Sequence, residues 1–359
     1  MLPGRMRERV AGLLHKAGAL GAVMQLRRLI PMPTLSIVTY HHIAEREPGY
    51  PFDPDVADAT PAQFRRQMET LARYGTPIGI DELLAAVEGG PLPKNPVMVT
   101  FDDGYRSCHE MALPILRQVG VRATFFVSTS FIAERRLYWW ERIALILSRG
   151  RRDRGAIRYP VSMEIDRSDP GVRGRLLELV KNSAAFDVER FLEELATSLG
   201  AEWSPEIETR HADELIMTWD QVRALVRSGM DVESHGRRHR VLQTLDAAAL
   251  EDELVGSRLD LEAQIGRPVR AIAYPVGRPI TTESHIRRAL SAAGYRVGLS
   301  NKSGVNRLWP SILRSVIPPI DPFNVRRLAT DRSMSDAMFL TQVAVPALAY
   351  LQDPDPTGP

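Results

Sequence analysis

Residues 96–105 read Pro-Val-Met-Val-Thr-Phe-Asp-Asp-Gly-Tyr, an apolar run that ends in two adjacent carboxylates, Asp102 and Asp103, and then Gly104. A short apolar run bounded by turn residues fits a strand buried on both faces, as in a parallel sheet. Asp and Gly favour strand exits, so taken alone the exit reads as an ordinary turn. The surrounding sequence gives it another meaning. Residues 35–40 form a similar run that ends at His41 and His42, residues 123–127 form a third, 230–234 lead into His235, and 271–274 and 296–299 follow, with a last segment expected around 312–316. Between these runs, residues 61–74, 111–118, 219–226, 247–265 and 284–293 carry apolar side chains at helical spacing. Strands that alternate with helices predict a parallel sheet with crossover connections, an α/β architecture. In a parallel barrel the carboxyl ends of the strands share one face, so polar residues far apart in sequence meet there.

The bulk composition narrows the possibilities. At 359 residues, 44% hydrophobic and 25% charged, the chain can build one large barrel or two ordinary domains. Lys and Arg (46) nearly balance Asp and Glu (44), and a formal charge of +2 argues against a nucleic-acid partner. The single cysteine, Cys108, excludes an internal disulfide and fits a reducing compartment. Residues 1–30 are basic with an apolar middle interrupted by His15 and Lys16; no signal-peptide cleavage site is read, and no apolar run reaches the length of a spanning helix. An amphipathic helical arm is expected, packed on the protein or in peripheral contact with a membrane through Arg5, Arg7, Arg9, Lys16, Arg27 and Arg28. Residues 31–130 and 217–330 are assigned to the barrel, 131–216 to a mainly helical insertion with a small hairpin, and 331–359 to a C-terminal helix and disordered tail.

His235-Gly-Arg-Arg-His239 places two imidazoles four residues apart, on one face if the segment is helical. With a strand-end Asp they supply three ligands and leave positions open for water. At this point the residues resemble the polysaccharide deacetylases of carbohydrate esterase family 4, which share the NodB homology domain. TFDDGY (residues 100–105) resembles the family's first motif. SHGRRH (residues 234–239) resembles its second, usually written His-Ser/Thr-x-x-His, and AIAYPVG (residues 271–277) resembles its third. Tyr40-His41 is similar to the first-strand motif of the poly-N-acetylglucosamine deacetylase branch.

The resemblance implies a distorted (β/α) barrel and a hydrolase that removes N-acetyl groups from N-acetylhexosamine units of a glycan, glycolipid or exopolysaccharide intermediate. It implies Asp102 as catalytic base and Asp103, His235 and His239 as ligands of a divalent metal, zinc first, with cobalt, nickel or manganese as substitutes. Asp102 would accept a proton from the attacking water while the cation acidifies that water and polarises the carbonyl. Two departures stand out. The Arg that steadies the base in the family's third motif is missing, leaving Arg314 as a weak candidate, and the backbone N–H of Val276 remains as oxyanion donor. The C-terminal Leu-x-x-His that supplies the family's acid is also missing, and His41 takes that role by the Tyr-His resemblance. Tyr105, Tyr274, Pro275 and Trp140 are the expected substrate contacts. Arg135, Arg136, Arg151, Arg152 and Arg154 are candidates for a carrier phosphate. An O-acetyl esterase, a non-sugar amidohydrolase and a silent glycan-binding protein are the alternatives, and a cytoplasmic location, at the inner face of the membrane, is the expected setting.

Overall fold

The computed structural model describes residues 4–29, 34–45, 50–183, 186–307 and 320–345. Seven parallel strands close into a barrel in chain order: β1 (Thr34–Tyr40), β2 (Pro96–Phe101), β3 (Ala123–Val127), β4 (Asp231–Ser234), β5 (Ala271–Ala273), β6 (Val297–Ser303) and β7 (Val325–Ala329). The ring shuts where β7 pairs with β1 through Val38↔Leu328 and Thr39↔Ala329. It is distorted, since β4 and β5 are short and the β6–β7 register shifts between Leu299 and Ser303. The expected segment around 312–316, with Arg314, lies outside the described residues. The strand that completes the described ring, β7, comes later in the chain.

β1, β2 and β3 are buried on both faces, which is why they read as continuous apolar runs rather than alternating ones. Alternation still sorts the side chains. Leu35, Ile37, Met98, Phe126, Ala271, Ala273, Val297, Leu299 and Val325 form one cluster, closed by Ile78, Ile80, Leu83 and Leu84 from the segment before β2. Their alternates, among them Val38, Tyr40, Val99, Phe101, Phe125, Val127, Ile272 and Leu328, pack in the larger cluster with the surrounding helices. Continuing the first set past the strand ends leads from Ile37 to His41 on β1 and from Met98 to Asp102 on β2.

The region between β3 and β4 carries helices Trp139–Arg149, Val172–Asn182, Val188–Leu199 and Pro205–Leu215 and the hairpin of Arg154–Ile157 with Met163–Asp166. Most of these elements share a hydrophobic cluster of their own, built on Ile146, Ile157, Ile165, Leu176, Phe191 and Leu195. The arm forms two helices, Gly4–Lys16 and Ala19–Leu29, and Ala11, Leu20 and Met24 are buried. Arg27, expected on a membrane-facing side, is instead 6% exposed, donating to the carbonyls of Val343 and Ala344 and to Thr34 Oγ1. No described helix is long and apolar enough to cross a membrane. Helix Asp336–Ala344 occupies the expected C-terminal position, and the tail after residue 345 lies outside the described residues.

Candidate active site

The β2 exit turns sharply: Asp103 and Gly104 take φ of 70° and 86°, and Gly104 N–H donates back to Asp102 O at 2.9 Å. A Cβ at Gly104 would sit 3.2 Å from Val127 Cγ1, so conformation and space both favour glycine there. Positive φ is uncommon outside glycine and is retained where surrounding structure enforces it. Among the described residues five such positions occur, and three of them, Asp103, His239 and Val276, belong to the three motifs. The segment 235–239 is a loop, not the helix that would have placed both imidazoles on one face.

Asp103 Oδ1 lies 3.3 Å from His235 Nε2 and 3.4 Å from His239 Nε2. For N and O ligands about 2.0–2.1 Å from a tetrahedral ion, ligand atoms stand roughly 3.3–3.4 Å apart. The three side chains are buried, and Asp103 Oδ1 has no hydrogen-bond partner among the described residues. A buried orphan acceptor is costly unless something pairs with it. His235 Nδ1 lies 2.8 Å from Ala273 O, which fixes Nδ1 as the protonated nitrogen and leaves Nε2 as the ligand. The donor set and its spacing fit a divalent cation.

Asp102 faces Arg327 of β7. The guanidinium donates from Nη1 to Oδ1 and from Nη2 to Oδ2, both at 2.7 Å, and neither side chain is more than 1% exposed. Burial alone would raise the Asp102 carboxyl, but the two-pronged Arg327 contact outweighs it and holds the group well below the usual carboxylate range. Arg327 therefore stands where the third-motif Arg was missing. The adjacent Arg326 is exposed, so the Arg-Arg pair resembles a solvated charge run unless the alternation along β7, with Val325 and Arg327 buried, is noticed.

His41 and His42 point to different environments. His41 Nδ1 is 3.0 Å from Asp58 Oδ2, its backbone N–H donates to the same oxygen, and about a quarter of its side chain is exposed. Burial disfavours its charge, but Asp58, with Asp103 and Asp102 behind it, pushes the imidazole up to about 10. Asp58 is carried by the short strand Ala57–Ala59, a residue that the sequence reading did not single out. His42 is buried against Ser107 Oγ at 2.7 Å and pushed down to about 4, so it stays neutral.

Several expected substrate contacts are buried side chains with partners inside the protein. Tyr105 is fully buried and donates to Glu141 Oε1 at 2.6 Å; Trp140 Nε1 donates to Tyr105 at 2.8 Å, and its ring stands edge-on to His239, centroids 4.8 Å apart. Tyr274 is 1% exposed, donates to Phe323 O, and lies so close to Gly298 that a Cβ there would be 1.8 Å from its oxygen. Pro275 is buried too. Of these, Trp140 touches the metal-ligand candidate His239 through its ring. The five candidate phosphate ligands are mostly committed as well: Arg135 to Asp213, Arg136 to Glu189 and Glu208, Arg151 to Glu202, Arg154 to Asp166, and Arg152 to Ser198 O. Val276, with φ 63° and ψ −6°, occupies the third position of a turn in which Gly277 N–H donates to Tyr274 O, a position that normally selects glycine.

Insertion helix Val172–Asn182 is tied at both ends to segments near the carboxyl ends of strands. Arg173 pairs with Asp53 and Asp55, which follow β1, and Arg278, just past β5, donates to Lys181 O at 3.1 Å and Asn182 Oδ1 at 2.6 Å. β1 and β5 stand three strands apart in the ring of seven, so this helix, about 16 Å long by its 11 residues, bridges opposite sides of the mouth.

Residues 89–155 and 197–298 match the family model for polysaccharide deacetylase. The chain belongs to the polysaccharide deacetylase family. It is a hydrolase of the deacetylase type. The unmatched stretch 156–196 holds the bridging helix, and β7 with Arg327 lies beyond the matched segments. Solved structures of similar fold include the Streptococcus pyogenes deacetylase PplD in complex with acetate (18% identity, 87% of this chain and 99% of that one, TM-score 0.55). IcaB from Ammonifex degensii is similar at 17% identity, over 88% and 98%, with a TM-score of 0.52. A polysaccharide deacetylase from Bacillus cereus is similar at 15% identity, over 87% and 69%, with a TM-score of 0.52. At these identities the likeness carries the fold. No curated protein matches the chain at a significant level.

Proposed function

We propose that the protein is a divalent-metal-dependent de-N-acetylase of N-acetylhexosamine units in a glycan, glycolipid or exopolysaccharide intermediate. One observation carries the reading: a buried Asp103–His235–His239 cluster of ligand-like spacing beside an ionised, Arg-paired Asp102. The bound cation, zinc first, would supply Lewis acidity toward the acyl oxygen and the attacking water. Asp102, kept ionised by Arg327, accepts the proton that water loses as its oxygen bonds to the acyl carbon. Val276 N–H donates to the developing oxyanion. As the C–N bond breaks, His41 delivers a proton to the departing nitrogen, and the products are acetate and a free amine. The His41–Asp58 pair favours an amide over an ester, because an amine leaves only when protonated whereas an alkoxide from an ester is a better leaving group.

The outward side of the arm exposes Met6, Leu13 and Leu26 beside Arg9 and Lys16, and we place it at an anionic membrane surface. The catalytic reading is tested by acetate release from an N-acetylglucosamine oligomer and from acetylated xylan, with metal analysis. Parent protein should carry about one ion and release acetate from the oligomer; His235→Ala should lose the ion. Asp102→Asn should keep it and turn over roughly 100-fold or more slowly. Equal metal content in parent and His235→Ala, or acetate from xylan alone, rejects the reading.

A further inference from the structure

The helical segment from Ala247 to Ile265 is interrupted by a π-helical turn at Asp252–Gly256. A π turn adds one residue to a helical circuit, so it re-aims the side chains on it, and such turns are frequent at functional sites. Here it presents Glu253, 1% exposed, to the loop that carries His239. Glu253 Oε1 accepts from Arg238 N at 2.9 Å and from Arg240 N at 3.3 Å, and Oε2 accepts from Arg238 N at 3.1 Å. The N–H groups on both sides of His239 therefore hang on one carboxyl group. Asp252 adds contacts to the Arg237 and Arg238 side chains, and Asp260 binds Arg237 Nε at 3.0 Å.

His239 needs that support. Its φ of 52° is uncommon for a residue with a side chain, and its Nδ1 has no hydrogen-bond partner among the described residues, whereas His235 is oriented through Ala273 O. The anchoring that His235 receives at its ring must reach His239 through its backbone. The motif position that carries Ser or Thr in the resembling pattern is Gly236 here, with φ 78°. A Cβ at Gly236 would lie 2.5 Å from Glu253 Oε1, so the carboxyl group fills the room that a Ser or Thr side chain would need.

We propose that Glu253 is the positioning residue for His239 and thereby sets the affinity of the Asp103–His235–His239 cluster for a divalent cation, an inference that rests on the metal reading above. Zinc affinity of the full chain is measured by competition with a chromophoric chelator, and melting temperature is recorded with and without zinc. Glu253→Ala should weaken zinc binding about 10- to 100-fold, the usual cost of losing an outer-shell partner, and shrink the zinc-induced rise in melting temperature. Glu253→Gln keeps an oxygen for the Arg238 and Arg240 N–H groups and should recover most of the affinity. If the alanine variant does not fold, Glu253→Asp, which withdraws the carboxylate by one methylene at constant charge, should weaken binding in the same direction. A folded alanine variant, or failing that the aspartate variant, that binds zinc within about twofold of the parent overturns the role of Glu253 alone. A parent that takes up no zinc, cobalt, nickel or manganese overturns the metal reading and this inference with it.

Discussion

Replacing Arg327 with methionine keeps an unbranched apolar stem but removes the guanidinium that faces Asp102 with two 2.7 Å hydrogen bonds. Both partners are almost fully buried, so Arg327→Met leaves an uncompensated carboxylate inside the barrel mouth. Breaking a buried pair from one side costs about 3–5 kcal/mol, a large part of a total stability of roughly 5–15 kcal/mol. At about 2–4 °C per kcal/mol for domains of 150–250 residues, the melting temperature should fall by roughly 6–20 °C. The pH dependence carries the diagnostic sign. In the parent the Asp102 carboxyl is depressed, so its contribution is present above the unfolded value of about 3.9 and is lost only as pH falls through the lower folded value. In Arg327→Met, burial pushes the carboxyl up, and the folded state then loses stability as pH rises. The deficit should therefore be larger at pH 8 than at pH 5, and the acid limb of kcat/KM should move up into the measurable range. Arg327→Lys keeps the charge without the fork and should fall between the two. Differential scanning calorimetry and pH–rate profiles on an oligomer that the parent cleaves provide the readouts. A melting temperature within about 2 °C of the parent, with an unmoved acid limb, would refute the reasoning.

His41→Ala should retain metal, lose most deacetylation and remove the alkaline limb, which in the parent follows deprotonation of an imidazole raised to about 10; His42→Ala, already neutral in the parent, should do much less. Unchanged turnover with an intact alkaline limb in His41→Ala eliminates it as the acid. The bridging helix joins opposite sides of the mouth, so Arg173→Ala combined with Asn182→Ala should raise the rate on long N-acetylglucosamine polymers relative to a dimer. An unchanged ratio refutes this expectation. Flotation with anionic liposomes should recover more parent protein than Leu13→Ser with Leu26→Ser, and equal recovery assigns the arm to packing alone.

The strand–helix rhythm, the Asp-Asp exit and the His-x-x-x-His spacing were readable from the sequence because each is written within a few consecutive residues, where period and turn chemistry act locally. Successive residues along a strand point to opposite sides, and the adjacent His41 and His42 accordingly meet different partners, Asp58 and Ser107. Arg327 could not be assigned that way: it meets Asp102 across 225 residues because β7 closes the ring beside β1, a long-range pairing with no local mark except one buried position next to an exposed Arg326. Asp58 reaches His41 only through a three-residue strand, too short to carry a periodic signal. Tyr105, Tyr274 and Trp140 show the converse, since aromatic residues in or near a motif have the same letters whether they face a sugar or the core, and only the packing around Glu141, Phe323 and His239 decides which. Glu253 depends on a π turn, a one-residue change of helical phase whose direction is set by what the helix packs against. Local chemistry thus placed candidate polar groups at the strand ends, the resemblance gave them their expected roles, and the closure of the barrel decided which charges stand beside them.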